Sequence, residues 1–528
     1  MNKLFGSLLV MALVLSIAAV AIPVKAAVVG TLEVSSPYFY RDAILQVRLY
    51  DPDLINVENV TISFSIEGGP SGTLKLRSPL QNGEFFGYFA NSSVTTLNLA
   101  NPPYGKPVDF FADSFNNTIN LSQYEGKKIT FTYMDSSPVG TVTASAIYEA
   151  YTAELVSIDR TEYPMFGYIR ILIRDYDYNL DPTRKDDMTS VTFKFYRVGD
   201  AAPYNTTSVS GSETDASSGV FSFVISYSTN TTIWDPPANA NLTGVTSGSP
   251  IKVEYFDGSD TVSKWITLKT FPISLMVEPS FTTYGDLVIR ISDPNLNLKS
   301  WAKDSINNAT IYGTYVNITM GNDFVVLTSI DETDVNTGVF EYKVPVVIGT
   351  ANPTDGKLQV EVGQTKAEIK YYFNGSLKAE TISTLSTTPA SITSDKDMYK
   401  ADAKVKLTLT APDLNDDTVN INFFQISIPG GNATIQDISA TMGEQTVGKL
   451  TIKVNGLLAR GKDPQTLTFI ETGENTGVFT ASLDLSKIYN NANETLKNGD
   501  IVDVSYYDCI NKVTTSVRFT IGVAAASI

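Results

Sequence analysis

Apolar and polar residues alternate with a period of two along most of the chain. Residues 43–54 read AILQVRLYDPDL, 168–182 YIRILIRDYDYNLDP, 286–298 DLVIRISDPNLNL and 404–417 KVKLTLTAPDLNDD. Each begins as a strand with one face toward a core and runs into a short acidic segment. A second phrase follows each of them: ETDASSGVF at 213–221, ETDVNTGVF at 332–340, ETGENTGVF at 471–479, and a degraded QNGEF at 81–85. Its glycine, at Gly83, Gly219, Gly338 and Gly477, suits a turn that needs positive φ, and the residues after it open the next strand.

A third strand closes each repeat on a Tyr-rich end: ITFTYMD at 129–135, IKVEYFD at 251–257, AEIKYYFN at 367–374 and IVDVSYYD at 501–508. The closing positions Asp135, Asp257, Asn374 and Asp508 lie 122, 117 and 134 residues apart, about one sandwich domain each. No long 3.6-period segment interrupts the pattern. The expected fold is all-β: four tandem immunoglobulin-like β-sandwich domains, 27–150, 151–270, 271–388 and 389–528, after a cleaved signal peptide at 1–26. Short linkers near Ala150, Phe271 and Thr388 favour a semi-rigid rod over a flexible string.

The signal peptide is read from Lys3, an apolar run over 4–22, Pro23 and small residues before a cut after Ala26. No later segment approaches the roughly 18 apolar residues that span a bilayer. The expected location is therefore secreted.

Composition narrows the function. The 528 residues hold 43% apolar and 18% charged residues, with 27 Tyr and 26 Phe, a β-sheet palette. The net charge of −17 speaks against nucleic acid as partner and for cations. There is no histidine, which removes the usual general base and nearly all catalytic zinc sites, and Cys509 alone forms no intrachain disulfide. The remaining carboxylates recur at equivalent places in every repeat, whereas an active site has unequal neighbours and occurs once. The chain is not expected to be an enzyme.

Side-chain oxygens spaced by two residues occur at Asp175, Asp177, Asn179 and Asp181, at Asp293, Asn295 and Asn297, and at Asp413 and Asn415. This pattern resembles oxygen-rich loops that hold calcium, with Glu213, Glu332, Glu471, Asp257 or Asp508 available to complete the set. The alternative is that Asp, Asn and Pro simply make turns. Ile55 and Ala411 interrupt the pattern in the first and fourth repeats, so the second is the best cation candidate. Twelve glycosylation sequons are present, at Asn59, Asn91, Asn116, Asn120, Asn205, Asn230, Asn241, Asn308, Asn317, Asn374, Asn432 and Asn493.

The segments DPNLNL, ETDVNTGVF, ETGENTGVF and NGDIVDVSYYD (498–508), in that order along the chain, resemble modules of archaeal surface-layer proteins. The resemblance covers repeats two to four well and the first weakly. It implies a glycosylated two-dimensional lattice of identical copies on the cell surface, strengthened by divalent cations. With no membrane anchor or stalk in this sequence, a separate anchoring subunit or a cell-surface glycan would hold it. Two other readings stand beside it. One is an adhesin or fibre subunit whose segment 26–34, AAVVGTLEV, adds as a strand to a neighbour's sheet edge. The other is a secreted binding protein using Trp234, Trp265 or Trp301.

Overall fold

The computed structural model describes residues 28–230, 232, 238–258, 260–283, 285–415, 420–442 and 444–522. The signal peptide and Trp234 lie outside the described residues. Described helices are short 3-10 turns, and the rest is strand and loop, as the period-two pattern predicts.

The first sheet is built from Thr31–Val34, Leu45–Ile55, Asn82–Phe89, Ser71–Arg77, Asn59–Ile66, Lys127–Ser136, Val139–Tyr148 and Tyr38–Phe39, in that spatial order. The second repeats it with Glu154–Ile158, Phe166–Arg174, Val220–Ser228, Asn205–Glu213, Asp187–Arg197, Ser249–Asp257, Asp260–Leu268 and Glu162–Tyr163. Between 274 and 385 the strands form two main sheets, and Ser391–Ser394 through Val513–Ile521 form a further continuous one. Each set begins with an antiparallel pair: Thr31–Val34 on Leu45–Ile55, and Ser391–Ser394 on Lys404–Thr410.

The alternation builds the cores. Leu45, Val47 and Leu49 point inward with Phe64, Phe89 and Phe131, while Arg48 and Tyr50 face out. In the last set Val405, Leu407 and Leu409 meet Phe424, Phe469 and Phe479. Burying a side chain of this size is worth roughly 1.5–3 kcal/mol. Each of these patterned strands therefore has a strong reason to keep its register.

Contacts divide the described residues into two compact units. One takes the residues up to Thr161 with Ile169–Ile225 and Pro250–Ile266; the other takes Glu162–Tyr168, Ser226–Ser249 and those from Thr267 onward. The chain is thus a tandem array of immunoglobulin-like β-sandwiches. No helix among the described residues is long and apolar enough to cross a membrane.

Candidate metal centre

The acidic segment leaves its strand through a tight turn. At Tyr176–Tyr178, Pro294–Leu296 and Pro412–Leu414 the turn is 3-10. Asp175 and Asp293 cap it, accepting from the N–H of Asp177 at 3.1 Å and Asn295 at 3.0 Å. Asp51 accepts from the N–H of Asp53 in the same way, at 2.9 Å. The other oxygen of each carboxylate accepts from a buried tyrosine of the closing strand: Tyr133 to Asp51 at 2.6 Å, Tyr255 to Asp175 at 2.7 Å and Tyr371 to Asp293 at 2.7 Å. Ala411 breaks the series, and Tyr506 instead reaches the Val447 carbonyl at 3.5 Å.

The repeated phrase packs against this turn. The carbonyls of Gly219, Gly338 and Gly477 accept from the N–H of Asp175, Asp293 and Ala411 at 2.7–2.8 Å. The glycines sit at φ near +60°, and a Cβ on Gly477 would lie 2.7 Å from Pro412 Cα. The phrase's glutamate holds the turn from within. One oxygen of Glu471 accepts from the N–H groups of Thr476 and Gly477, both at 2.7 Å, and the other from the N–H of Asn422 at 3.0 Å. Glu332 does the same with Thr337, Gly338 and Asp304, and Glu213 with Gly219 and Asp186. In the first repeat Ser78 stands at this position, its N–H donating to the Glu58 carbonyl at 2.8 Å as Glu213 does to Asp186.

The remaining acidic positions hold the segment that enters each repeat. Asp53, Asp177, Asn295 and Asp413 accept from the N–H of Val28, Tyr151, Phe271 and Thr388 at 2.8–3.0 Å. Two residues further on, the N–H groups of Gly30, Ala153 and Ala390 donate to Asp135, Asp257 and Asp508 at 3.0–3.2 Å. Most oxygens that the sequence offered as ligands are therefore engaged with backbone.

The second repeat is different. Asp175, Asp177 and Asp257 each present an oxygen within 4.8 Å of the other two. Oxygens around a calcium ion at about 2.4 Å lie no further apart than this. Asp175 is fully buried. Burial, and next the Asp257 carboxylate, push its acid up to about 7. Burial pushes Asp177 up to about 6. Asp177 Oδ1 and Asn179 Oδ1 are buried with no hydrogen-bond partner. Crowded carboxylates and orphaned oxygens fit a hard divalent cation, which would draw its ligands from Asp175, Asp177 and Asp257.

The first repeat has carboxylates at the equivalent places, Asp51, Asp53 and Asp135, and the third carries an amide. Asn295 replaces Asp177, and its amide bridges the Phe271 carbonyl and Asp293. In the last repeat the Asn511 amide donates to both Asp413 and Asp508 at 2.8 Å, bridging the pair with hydrogen-bond donors.

Asp181 points elsewhere, accepting from the N–H of Ala100 at 2.8 Å and from Thr183. Asn297 and Asn415 donate to Asn336 and Asn475 of the repeated phrase at 3.1 and 2.6 Å. Sequence reasoning missed Asp186, Asp304 and Asn422, which receive the phrase's glutamate, and Asn511. The first three stand eleven residues after Asp175, Asp293 and Ala411, a fixed interval that could have revealed them. Of the sequons, Asn91 is 5% exposed and tied to Leu121 and Ser93. Asn59, Asn120, Asn230, Asn241, Asn374, Asn432 and Asn493 are exposed, and Asn116, Asn205, Asn308 and Asn317 are half-buried. Trp265 is half exposed, and Trp301 meets the Tyr168 ring edge-on.

No protein family matches the chain, and no curated protein matches it in sequence. Among solved structures, it is similar to a tetra-tandem repeat from the extending region of a large adhesion protein, at 12% identity over 93% of this chain and 98% of that one, with a TM-score of 0.21. The Escherichia coli adhesin FdeC is matched at 12% identity over 71% of this chain and 98% of its own, with a TM-score of 0.20. A Dscam structure is matched at 8% identity over 94% and 99%, with a TM-score of 0.17.

Proposed function

We propose that the chain is an extracellular structural protein that assembles with identical copies into a cell-surface coat of the archaeal surface-layer kind. The observation that carries this reading is the use made of the recurring carboxylates. In repeat after repeat they hold turns and entering backbone, the work of a scaffold, and they form no repeated catalytic pocket. A divalent cation, calcium by its oxygen ligands, is the cofactor of this reading, at Asp175, Asp177 and Asp257. N-linked glycans on the exposed sequons and a separate anchoring subunit or surface glycan complete it. No catalytic activity is part of the proposal.

Negative-stain electron microscopy of the purified chain, with millimolar-range calcium and then chelator, tests it. Two-dimensional sheets are the expected product, and their dissolution on chelation would support the cation as well. Linear fibres would replace the coat with a fibre or adhesin. In that case segment 28–34 would have to leave its own sheet, where Thr31–Val34 pairs with residues 47–50. Persistent monomers would overturn both assemblies.

A further inference from the structure

The place that is acidic in the second repeat has changed character in the third. Tyr151, Asp177 and Asp257 correspond to Phe271, Asn295 and Phe373, in register with the buried pair Tyr255 and Tyr371. One carboxylate has become an amide and the other a phenylalanine ring, and Tyr151 has become Phe271. Beside Phe271 and Phe373 opens a pocket of about 310 Å³, whose other walls include Met165, Phe166 and Ile273. Its volume falls at the lower end of ordinary small-molecule sites, about 300–1,000 Å³.

The walls are fixed. Phe166 is almost fully buried and lies nearly parallel to Phe373, with ring centroids 6.2 Å apart. Phe271 is held at both ends of its peptide by the Asn295 amide, at 2.8 and 2.9 Å. That amide also donates to Asp293, so its donors and its oxygen are engaged within the fold. The pocket's single charge is the ammonium of Lys378, 5.9 Å from the Phe373 ring centroid. Among the described residues, Lys378 is in no ion pair. The other lysine near these rings, Lys269, pairs with Glu162 at 2.5 Å.

We propose that this pocket binds a small carboxylate with an aromatic or aliphatic body, the body against Phe166, Phe271 and Phe373 and the carboxylate toward Lys378. The choice follows from charge complementarity: an uncharged wall with one cation that is in no ion pair among the described residues. A sugar would ask for several free hydrogen-bonding groups, and the Asn295 amide is already engaged. The inference stands apart from the coat reading and does not need it.

The test is titration of the full chain with phenylacetate, phenylethanol and phenylethylamine, followed by saturation-transfer NMR and calorimetry. Phenylacetate is expected to saturate and to bind about fivefold more tightly than the alcohol, the scale of one exposed ion pair. Lys378→Gln, a change at an exposed side chain, should erase that preference while leaving the alcohol's affinity unchanged. Phe373→Ala should weaken both. Absence of saturable phenylacetate binding, a preference for the amine, or an acid preference that survives Lys378→Gln would each overturn the proposal.

Discussion

The phenol of Tyr255 donates a 2.7 Å hydrogen bond to Oδ2 of Asp175, joining the strand Ser249–Asp257 of the second repeat to the turn that follows the strand Phe166–Arg174. The same bond joins Tyr371 to Asp293, with both groups buried. Removing the donor strands a buried carboxylate oxygen. Tyr371→Phe is therefore expected to cost about 1–3 kcal/mol. Tyr506→Phe should cost less than about 1 kcal/mol, because that hydroxyl makes only a 3.5 Å contact to a carbonyl. Urea unfolding of the two variants checks the order; equal losses would contradict the role given to the carboxylate.

The repeated phrase predicts two further losses. Gly477→Ala forces a Cβ into Pro412 at φ +60° and is expected to destabilise by about 2–4 kcal/mol. Glu471→Ala leaves three backbone N–H groups without their acceptor and should cost about 2–3 kcal/mol. Limited proteolysis should locate both openings in residues 389–522, and cleavage appearing first in the first repeat would count against this assignment.

These effects also mark what could be read from the chain alone. The strands, the repeat and the glycine turn were legible because period-two patterning and positive-φ geometry are local properties. The work of Glu332 and Glu471 was not. Whether such a carboxylate meets a cation or inward-facing amides depends on which backbone folds over it, and that backbone lies 28 residues away in one case and 49 in the other. Asp181 failed for a related reason. The 3-10 turn at Tyr176–Tyr178 breaks the two-residue period, and the chain beyond it turns toward Ala100.

Acid titration provides a third prediction. Asp175 and Asp177 hold their protons up to about 7 and about 6 in the folded chain. The unfolded chain releases such protons near pH 3.9. Between these values the folded state binds more protons, so these groups contribute less stability as pH rises. Without cation, exchange of the Tyr151 amide, which donates to Asp177, is expected to quicken from pH 4 to pH 7 beyond its intrinsic pH dependence. Calcium should remove that excess by taking the place of the protons. Protection unchanged by pH and by calcium would contradict the site.

A fourth prediction uses terbium as the calcium probe, with Tyr255 as its sensitiser. Asp257→Asn keeps an acceptor oxygen for the Ala153 N–H and removes one charge from the cluster. It is expected to weaken sensitised emission at least about tenfold in apparent affinity. Asp413→Asn, in the turn whose carboxylates Asn511 already bridges, should leave the emission unchanged.

The last prediction concerns sugar. Asn91 donates to Ser93 and accepts from Leu121 in a buried setting, so mass spectrometry of material from a glycosylating host should find it bare. Exposed sites such as Asn59, Asn241 and Asn493 should be modified. A fully occupied Asn91 would place glycan addition ahead of folding at that strand end.

The clamps on the entering segments have one more consequence. Asp53 and Asp135 hold Val28 and Gly30; Asp177 and Asp257 hold Tyr151 and Ala153; Asp413 and Asp508 hold Thr388 and Ala390. In each case the holder and the held segment lie within the same stretch of about 120 residues, so each copy fixes its own entering segment with its own carboxylates. The first repeat keeps this clamp although its nine-residue phrase is degraded, so the clamp and the phrase are separate devices.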